Sequence, residues 1–90
     1  AGVSIHTAGT RLESITLPRR RPLEEMRRLQ TAMRSATRTL GRRGRILVRW
    51  SGTEAKLRVM IEGENEDVIR RLTATLVEAA RADFKPGARA

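Results

Sequence analysis

The residues with the clearest capacity for chemistry lie in one stretch of the sequence, RWSGTEAKLR, which runs from Arg49 to Arg58. Arg49 carries a planar guanidinium that can form bidentate, charge-assisted hydrogen bonds to phosphate oxygens. Ser51 and Thr53 add hydroxyl donors on either side of Gly52, which lets the backbone turn tightly so that successive N–H groups converge. These residue types suit an anion-binding loop in which Arg49, Ser51, Gly52 and Thr53 could hold a phosphate group.

Three other charged residues of this stretch are secondary candidates. Lys56 and Arg58 add positive potential beside the loop, whereas Glu54 could orient Arg49 or form an ordinary salt bridge. A simple polar hairpin turn would also contain serine, glycine and threonine, because these residues suit turn geometry. Composition alone does not decide between a turn and an anion site. The spacing of glycine and lysine matches neither a P-loop nor a dinucleotide-binding motif.

The chain has 90 residues, no cysteine and one histidine, His6. A domain of this length has little room for an enclosed site with nucleophile, base and metal, so it predicts a binding module or part of a larger protein. Disulfides, thiolate metal sites and cysteine nucleophiles are excluded, and we predict no catalytic or metal-binding residue. No apolar run approaches the ~20 residues of a membrane span, and no signal peptide is visible. We expect a cytoplasmic protein without membrane contact.

The formal net charge is +9, and 17 of the 19 basic residues are arginine. This charge suits a phosphate-bearing partner and makes a nucleic-acid-binding module the alternative function. The only aromatic residues are Trp50 and Phe84, which is too few for a platform on which bases stack. We therefore do not expect nucleic acid as the partner.

Alternating patterns predict three short strands, at residues 13–17, 45–49 and 56–62. In the third strand Leu57, Val59 and Ile61 share one face, and Arg58 and Met60 share the other. The second and third strands are separated by a short polar loop, so they should form a hairpin with the anion-binding loop at its tip.

Apolar residues at helical spacing predict two helices. The first should begin near Pro22 and end at Gly41, and the second should run from about Glu66 to Asp83 with Asn65 as its N-cap. The apolar stripe of the first helix comprises Leu23, Met26, Leu29, Ala32, Met33, Ala36 and Leu40, with Gln30 and Thr37 completing the series. The stripe of the second comprises Val68, Ile69, Leu72, Leu76, Ala79 and Ala80.

The predicted order is strand, helix, strand, strand, helix. The expected fold is α+β, a small and mainly antiparallel sheet with both helices packed on one face. We expect residues 1–11 to be a leader or flexible tail, with a possible short strand at 3–5. Residues 12–84 should form the domain, and residues 85–90 a frayed tail.

The segment RILVRWSGTEAKLRVMIEGENEDV, residues 45–68, resembles the C-terminal domain of phosphoglucosamine mutases, in the α-D-phosphohexomutase superfamily. That family carries a loop R-x-S-G-T-E-P followed by a strand containing R-V-M-x-E-G. The resemblance extends to residues 13–30 (ESITLPRRRPLEEMRRLQ) and forward through the last helix, so it covers roughly residues 13–83. The loop together with its strand is a specific signal.

The resemblance implies a parent isomerase that interconverts glucosamine 6-phosphate and glucosamine 1-phosphate for cell-wall amino sugars. Such an enzyme uses a phosphoserine, Mg²⁺ and a bisphosphorylated intermediate, and has four domains. The last domain closes over the substrate and grips its distal phosphate, a role that falls here on Arg49, Ser51, Gly52 and Thr53. The implied partners are a phosphosugar and the remaining domains, with no cofactor in this domain and no activity of this chain alone.

Three points of the resemblance stay open. A hexomutase acting on mannose or glucose phosphates is an alternative, because sugar choice resides in other domains. Ala55 stands where the family usually has proline, so we expect a less rigid loop. Trp50 occupies the variable position and should pack against the hairpin rather than touch sugar, while Glu54 could meet the substrate amine.

Overall fold

The structure is a computed structural model, and it describes residues 9–84. In chain order its elements are β1 (Gly9–Thr16), α1 (Arg27–Leu40), β2 (Arg45–Trp50), β3 (Lys56–Gly63) and α2 (Glu66–Ala82). Short 3₁₀ turns precede and follow α1, at Leu23–Glu25 and Gly41–Arg43. The predicted order of strands and helices is confirmed.

The three strands form one antiparallel sheet in the order β1-β3-β2. β3 lies in the middle, with Ile15 of β1 opposite Leu57 and Val48 of β2 opposite Val59. This pairing confirms the hairpin. It also aligns the apolar residues of the three strands on one face, because side chains alternate along each strand.

Both helices cover that apolar face, as predicted. α1 contacts α2 and β2, whereas α2 contacts β3 and β1. The core between the helices and the sheet consists of apolar residues from every element: Ile15, Leu17, Met26, Leu29, Ala32, Val48, Leu57, Val59, Ile61, Ile69, Leu76, Val77 and Ala80. Among the described residues no helix covers the other face of the sheet, and Leu12 and Leu47 are exposed there.

The first strand begins earlier than predicted. β1 starts at Gly9, within the segment 1–11 expected to be a leader, and Gly9 pairs with Gly63 at the far end of β3. Only Ile15 of this edge strand is buried. The first half of β1 has no alternation of apolar and polar residues, which is the pattern that identifies a strand from sequence. The possible strand at residues 3–5, His6 and the tail 85–90 lie outside the described residues.

The first helix begins later than predicted. Leu23–Glu25 form a 3₁₀ turn, and Met26 leaves helical geometry with φ −89° and ψ 82° before α1 starts at Arg27. This break lets the Met26 side chain reach the core, where it is fully buried. The buried face of α1 is Leu29, Ala32 and Ala36, while Thr37, which was expected in the stripe, is exposed.

The second helix is close to its prediction. The Asn65 side-chain oxygen accepts a hydrogen bond from the Val68 N–H at 3.1 Å, which confirms the N-cap. Sequence reasoning missed the burial of Thr73 and Val77. The Thr73 hydroxyl donates to the Ile69 carbonyl at 2.8 Å, so this polar group is satisfied within the core. Within the described residues, neither α1 nor α2 is long and apolar enough to cross a membrane.

Candidate functional site

The predicted anion-binding loop is the five-residue connection between β2 and β3, residues 51–55. Gly52, Thr53 and Glu54 are exposed. The Ser51 N–H donates to the Lys56 carbonyl at 2.9 Å, and the Ser51 hydroxyl donates to the Glu54 carbonyl at 3.2 Å. The hydroxyl would have to rotate away from Glu54 to donate to an anion.

Three consecutive backbone N–H groups at the tip of the loop are open to a ligand. Within residues 9–84, no hydrogen-bond acceptor pairs with the N–H of Gly52, Thr53 or Glu54. Exposed backbone donors of this kind can bind water or the oxygens of an anion. The loop therefore combines hydroxyl and N–H donors in a single short segment.

Gly52 lies where the loop bends, but it does not have a positive φ. Among the described residues only Gly41, which ends α1, has a positive φ, of 64°. Gly52 therefore adopts a conformation open to other residues. A Cβ atom built at Gly52 would have no atom within 4 Å. The glycine leaves free the space through which a ligand can approach the backbone closely.

We expect the substitution Gly52→Ala to separate binding from folding. The Tm should stay unchanged or rise slightly, because alanine fits this backbone and reduces the entropy of the unfolded chain. Phosphate affinity should fall several-fold, because the methyl group occupies the approach to the N–H groups. Thermal unfolding and an NMR phosphate titration measure the two effects. A large drop in Tm would mean that Gly52 is needed for the fold itself.

Arg49 and Arg58 lie side by side on the face of the sheet opposite the helices. They are directly paired across β2 and β3, and both are exposed. Neither forms an ion pair with any residue between 9 and 84. Two like charges directly opposite each other destabilise a sheet. A bound anion between them would turn this repulsion into attraction.

The other two charged candidates, Glu54 and Lys56, pair with each other. Lys56 Nζ lies 3.7 Å from Glu54 Oε1, so Glu54 forms an ordinary salt bridge with Lys56 rather than orienting Arg49. Both side chains are substantially exposed, and such a pair contributes little to stability. Lys56 shares the open sheet face with Arg58, since the two lie two residues apart on β3.

Trp50 packs on the helix side of the sheet, away from Arg49. Its indole N–H donates to the Arg21 carbonyl at 2.6 Å, and its ring meets Phe84 edge-on with centroids 6.4 Å apart. The guanidinium carbons of Arg19 and Arg21 each lie 5.5 Å from the centre of the Phe84 ring. Trp50 thus contacts the segment before α1 and Phe84 beyond the end of α2, whereas packing against the hairpin was predicted.

Sequence reasoning missed the contact between the loop and the basic turn, which we define as residues 18–21 (PRRR). Arg20 Nη1 donates to the Gly52 carbonyl at 2.7 Å, across 32 residues of sequence. Immediately before the turn, the Leu17 N–H donates to the Ala55 carbonyl at 2.9 Å. The run of arginines was visible in the sequence, but its position beside the loop follows from the pairing of β1 with β3.

Sequence reasoning also missed Asp83, a buried carboxylate that follows α2. Its two oxygens accept hydrogen bonds from the N–H groups of Arg28 at 3.2 Å and Leu29 at 3.1 Å. Asp83 therefore caps the first turn of α1, although it lies 54 residues after Leu29 in the sequence. The Arg21 guanidinium donates to the Asp83 carbonyl at 2.6 Å, which ties the basic turn to the same point.

The described residues contain no cluster of three or more histidine, cysteine, aspartate or glutamate side chains that could hold a metal ion. The acidic side chains are distributed over β1, β3, α2, the loop and the segments that flank the helices. The Mg²⁺ that the resemblance implies thus finds no matching set of ligands in this part of the chain. The site is built of cationic and N–H donors, which suit an anion.

The fold and the site define a class: a small α+β domain that presents an arginine-flanked hairpin loop suited to phosphate. In a comparison with known proteins, the family model for the C-terminal domain of phosphoglucomutase/phosphomannomutase matches residues 12–79. The chain belongs to this family of phosphohexomutase C-terminal domains.

Several curated relatives share the name phosphoglucosamine mutase. The protein from Sorangium cellulosum (strain So ce56) is 49% identical over 72 residues, which are 80% of this chain and 15% of the relative. The protein from Rhodospirillum centenum is 46% identical over 68 residues, 76% of this chain and 14% of the relative. The protein from Desulfovibrio desulfuricans is 37% identical over 75 residues, 83% and 17% respectively. The chain thus spans roughly a sixth of the length of these relatives.

Proposed function

We propose that this chain is the substrate-phosphate-binding domain of a phosphoglucosamine mutase, in which Arg49 and the loop 51–53 hold the phosphate that is not being transferred. The observation that carries the proposal is the paired Arg49 and Arg58 beside a loop with open N–H groups. Two adjacent guanidinium groups without anionic partners favour a dianionic ligand.

The geometry supports binding and orientation rather than bond making. Arg49 would supply a bidentate contact, and Arg58 a second positive charge across the hairpin. The N–H groups of Gly52 and Thr53, with the two hydroxyls, would take up the remaining phosphate oxygens. Phosphoserine and Mg²⁺, which the resemblance implies for the parent enzyme, would reside in its other domains. The contribution of this domain is to hold the sugar in place while chemistry occurs elsewhere.

The sugar is proposed to be glucosamine phosphate. The relatives named above are phosphoglucosamine mutases, which favours this sugar over glucose or mannose phosphate. The matching family model also covers phosphoglucomutase and phosphomannomutase, so these substrates remain the alternative. The phosphate group is common to all of them, and the proposed contacts of Arg49 and the loop apply equally.

A chimera tests the proposal. Residues 12–84 of this chain would replace the matching segment of the Sorangium cellulosum relative, and turnover of glucosamine 6-phosphate would be measured. We expect an active chimera whose activity falls by at least about tenfold with Arg49→Ala, since a charge-assisted contact contributes about 1.5–3 kcal/mol. Arg34→Ala, an equal charge change on the exposed face of α1, is the control. An active chimera that is indifferent to Arg49→Ala would contradict the proposed role.

The 90-residue chain by itself should show no mutase activity. Incubated with glucosamine 6-phosphate, Mg²⁺ and a sugar bisphosphate, it should produce no glucosamine 1-phosphate, because residues 9–84 offer no metal site and no resemblance to the phosphoserine loop. A coupled assay or ³¹P NMR measures the product. Mutase activity that copurifies with the chain, and that is lost when the chain is removed from the preparation, would overturn the assignment of this chain as a binding domain.

A further inference from the structure

We infer that Arg20 of the basic turn is a positioning residue of the phosphate site, which fixes the peptide unit between Gly52 and Thr53 so that its N–H faces the ligand. The inference rests on the proposed function, and it adds Arg20, which lies outside the loop, to the residues of the phosphate site. Its starting point is the 2.7 Å hydrogen bond from Arg20 Nη1 to the Gly52 carbonyl.

Because the peptide bond is planar, a contact that fixes the Gly52 carbonyl also fixes the direction of the Thr53 N–H. The described residues contain no cis peptide bond, so the Gly52 carbonyl and the Thr53 N–H point in opposite directions within one plane. A guanidinium that holds the carbonyl on its own side directs the N–H to the other side. That N–H has no acceptor among residues 9–84, so it is a donor oriented for a ligand rather than for the fold.

The basic turn is itself held firmly against the loop and the core. The Leu17 N–H bonds to the Ala55 carbonyl, and the Trp50 indole bonds to the Arg21 carbonyl. The Arg21 guanidinium bonds in turn to the Asp83 carbonyl at the end of α2. Arg20 therefore extends from a segment anchored on both sides, which is what allows one exposed side chain to set a peptide orientation.

The alternative to a positioning role is a general effect of charge. Arg19 is the matched comparison, because it is the neighbouring exposed arginine of the same turn and its guanidinium lies over Phe84 instead of the loop. Removing Arg19 lowers the net charge near the site by the same amount as removing Arg20, but it leaves the hydrogen bond from Arg20 to the Gly52 carbonyl intact. Long-range charge effects are also screened by salt, whereas a fixed peptide orientation is not.

The experiment compares Arg20→Met, Arg20→Lys and Arg19→Met in the 90-residue chain, with NMR titrations of inorganic phosphate at low salt and at about 0.5 M sodium chloride. We expect Arg20→Met to weaken phosphate binding by about tenfold at high salt, because the Thr53 N–H is no longer oriented toward the phosphate, and by more at low salt, where the lost charge adds to this effect. Arg20→Lys keeps a charged donor and should restore most of the affinity. Arg19→Met should weaken binding only at low salt.

A spectroscopic readout accompanies the affinities. In the ligand-free chain, Arg20→Met should shift the ¹³C resonance of the Gly52 carbonyl and the amide resonance of Thr53, and Arg19→Met should leave both in place. Equal losses of affinity for the Arg20→Met and Arg19→Met variants, with unchanged Gly52 and Thr53 resonances, would overturn the positioning role while leaving the phosphate site standing. No phosphate binding by the parent chain, or binding insensitive to Arg49→Ala, would instead overturn the proposed function.

Discussion

The substitution Arg49→Ala should abolish measurable phosphate binding by this domain. We expect the unmodified chain to bind inorganic phosphate or a phosphosugar with a dissociation constant of about a millimolar or weaker, because a few charge-assisted bonds must offset the entropy of association. Loss of the bidentate Arg49 contact removes two charge-assisted bonds and should raise that constant by a further ~100-fold or more, beyond the range of an NMR titration.

The same variant should fold at least as stably as the parent chain. Arg49 is exposed at the end of β2 and faces Arg58 across the hairpin, so its removal relieves a like-charge repulsion. A binding site that opposes stability in this way is a common cost of function. The expected combination is therefore lost binding with an unchanged or higher Tm. Arg38→Ala, an equal charge change on α1, should alter neither phosphate binding nor Tm appreciably.

Removal of the Asp83 carboxylate should produce the largest loss of stability among the polar residues discussed. Asp83 is 8% exposed and accepts hydrogen bonds from the N–H groups of Arg28 and Leu29. The substitution Asp83→Ala leaves these helix-terminal donors without a cap and removes a negative charge from the N-terminus of α1. We expect the free energy of unfolding to fall by about 1–3 kcal/mol, measured by urea denaturation.

Two comparisons make this prediction specific. Glu78→Ala removes an equal charge from an exposed position of α2 and should change the free energy of unfolding by less than about 0.5 kcal/mol. Asp83→Asn keeps one oxygen acceptor and should give an intermediate loss. If Asp83→Ala were as stable as the Glu78→Ala control, the capping contact would not contribute to the fold.

Local patterns were sufficient for the hairpin and for α2. The placement of Leu57, Val59 and Ile61 at every second position identifies β3, because these three side chains face the core while those between them face away. Asn65 and the acids that follow it mark the start of α2 by chemistry that acts within one turn. The loop between β2 and β3 was likewise identified from adjacent residues.

Features that depend on distant contacts were not accessible from the sequence pattern. The first half of β1 is held by backbone pairing with β3 rather than by buried side chains, so no apolar alternation marks it. The capping of α1 by Asp83 joins residues 54 positions apart, and the bond from Arg20 to Gly52 joins residues 32 apart. Once the strand order β1-β3-β2 is known, the basic turn necessarily lies beside the loop.

The most direct test of the phosphate site is a map of backbone amide shifts in the 90-residue chain during titration with glucosamine 6-phosphate, with glucosamine at equal concentration as the control. We predict shifts that cluster at residues 49–58, are largest at Gly52 and Thr53, and are absent with the unphosphorylated sugar. Shifts spread instead over the exposed arginines of α1, at Arg27, Arg28, Arg34 and Arg38, would indicate nonspecific attraction to positive charge and would contradict the phosphate-binding loop.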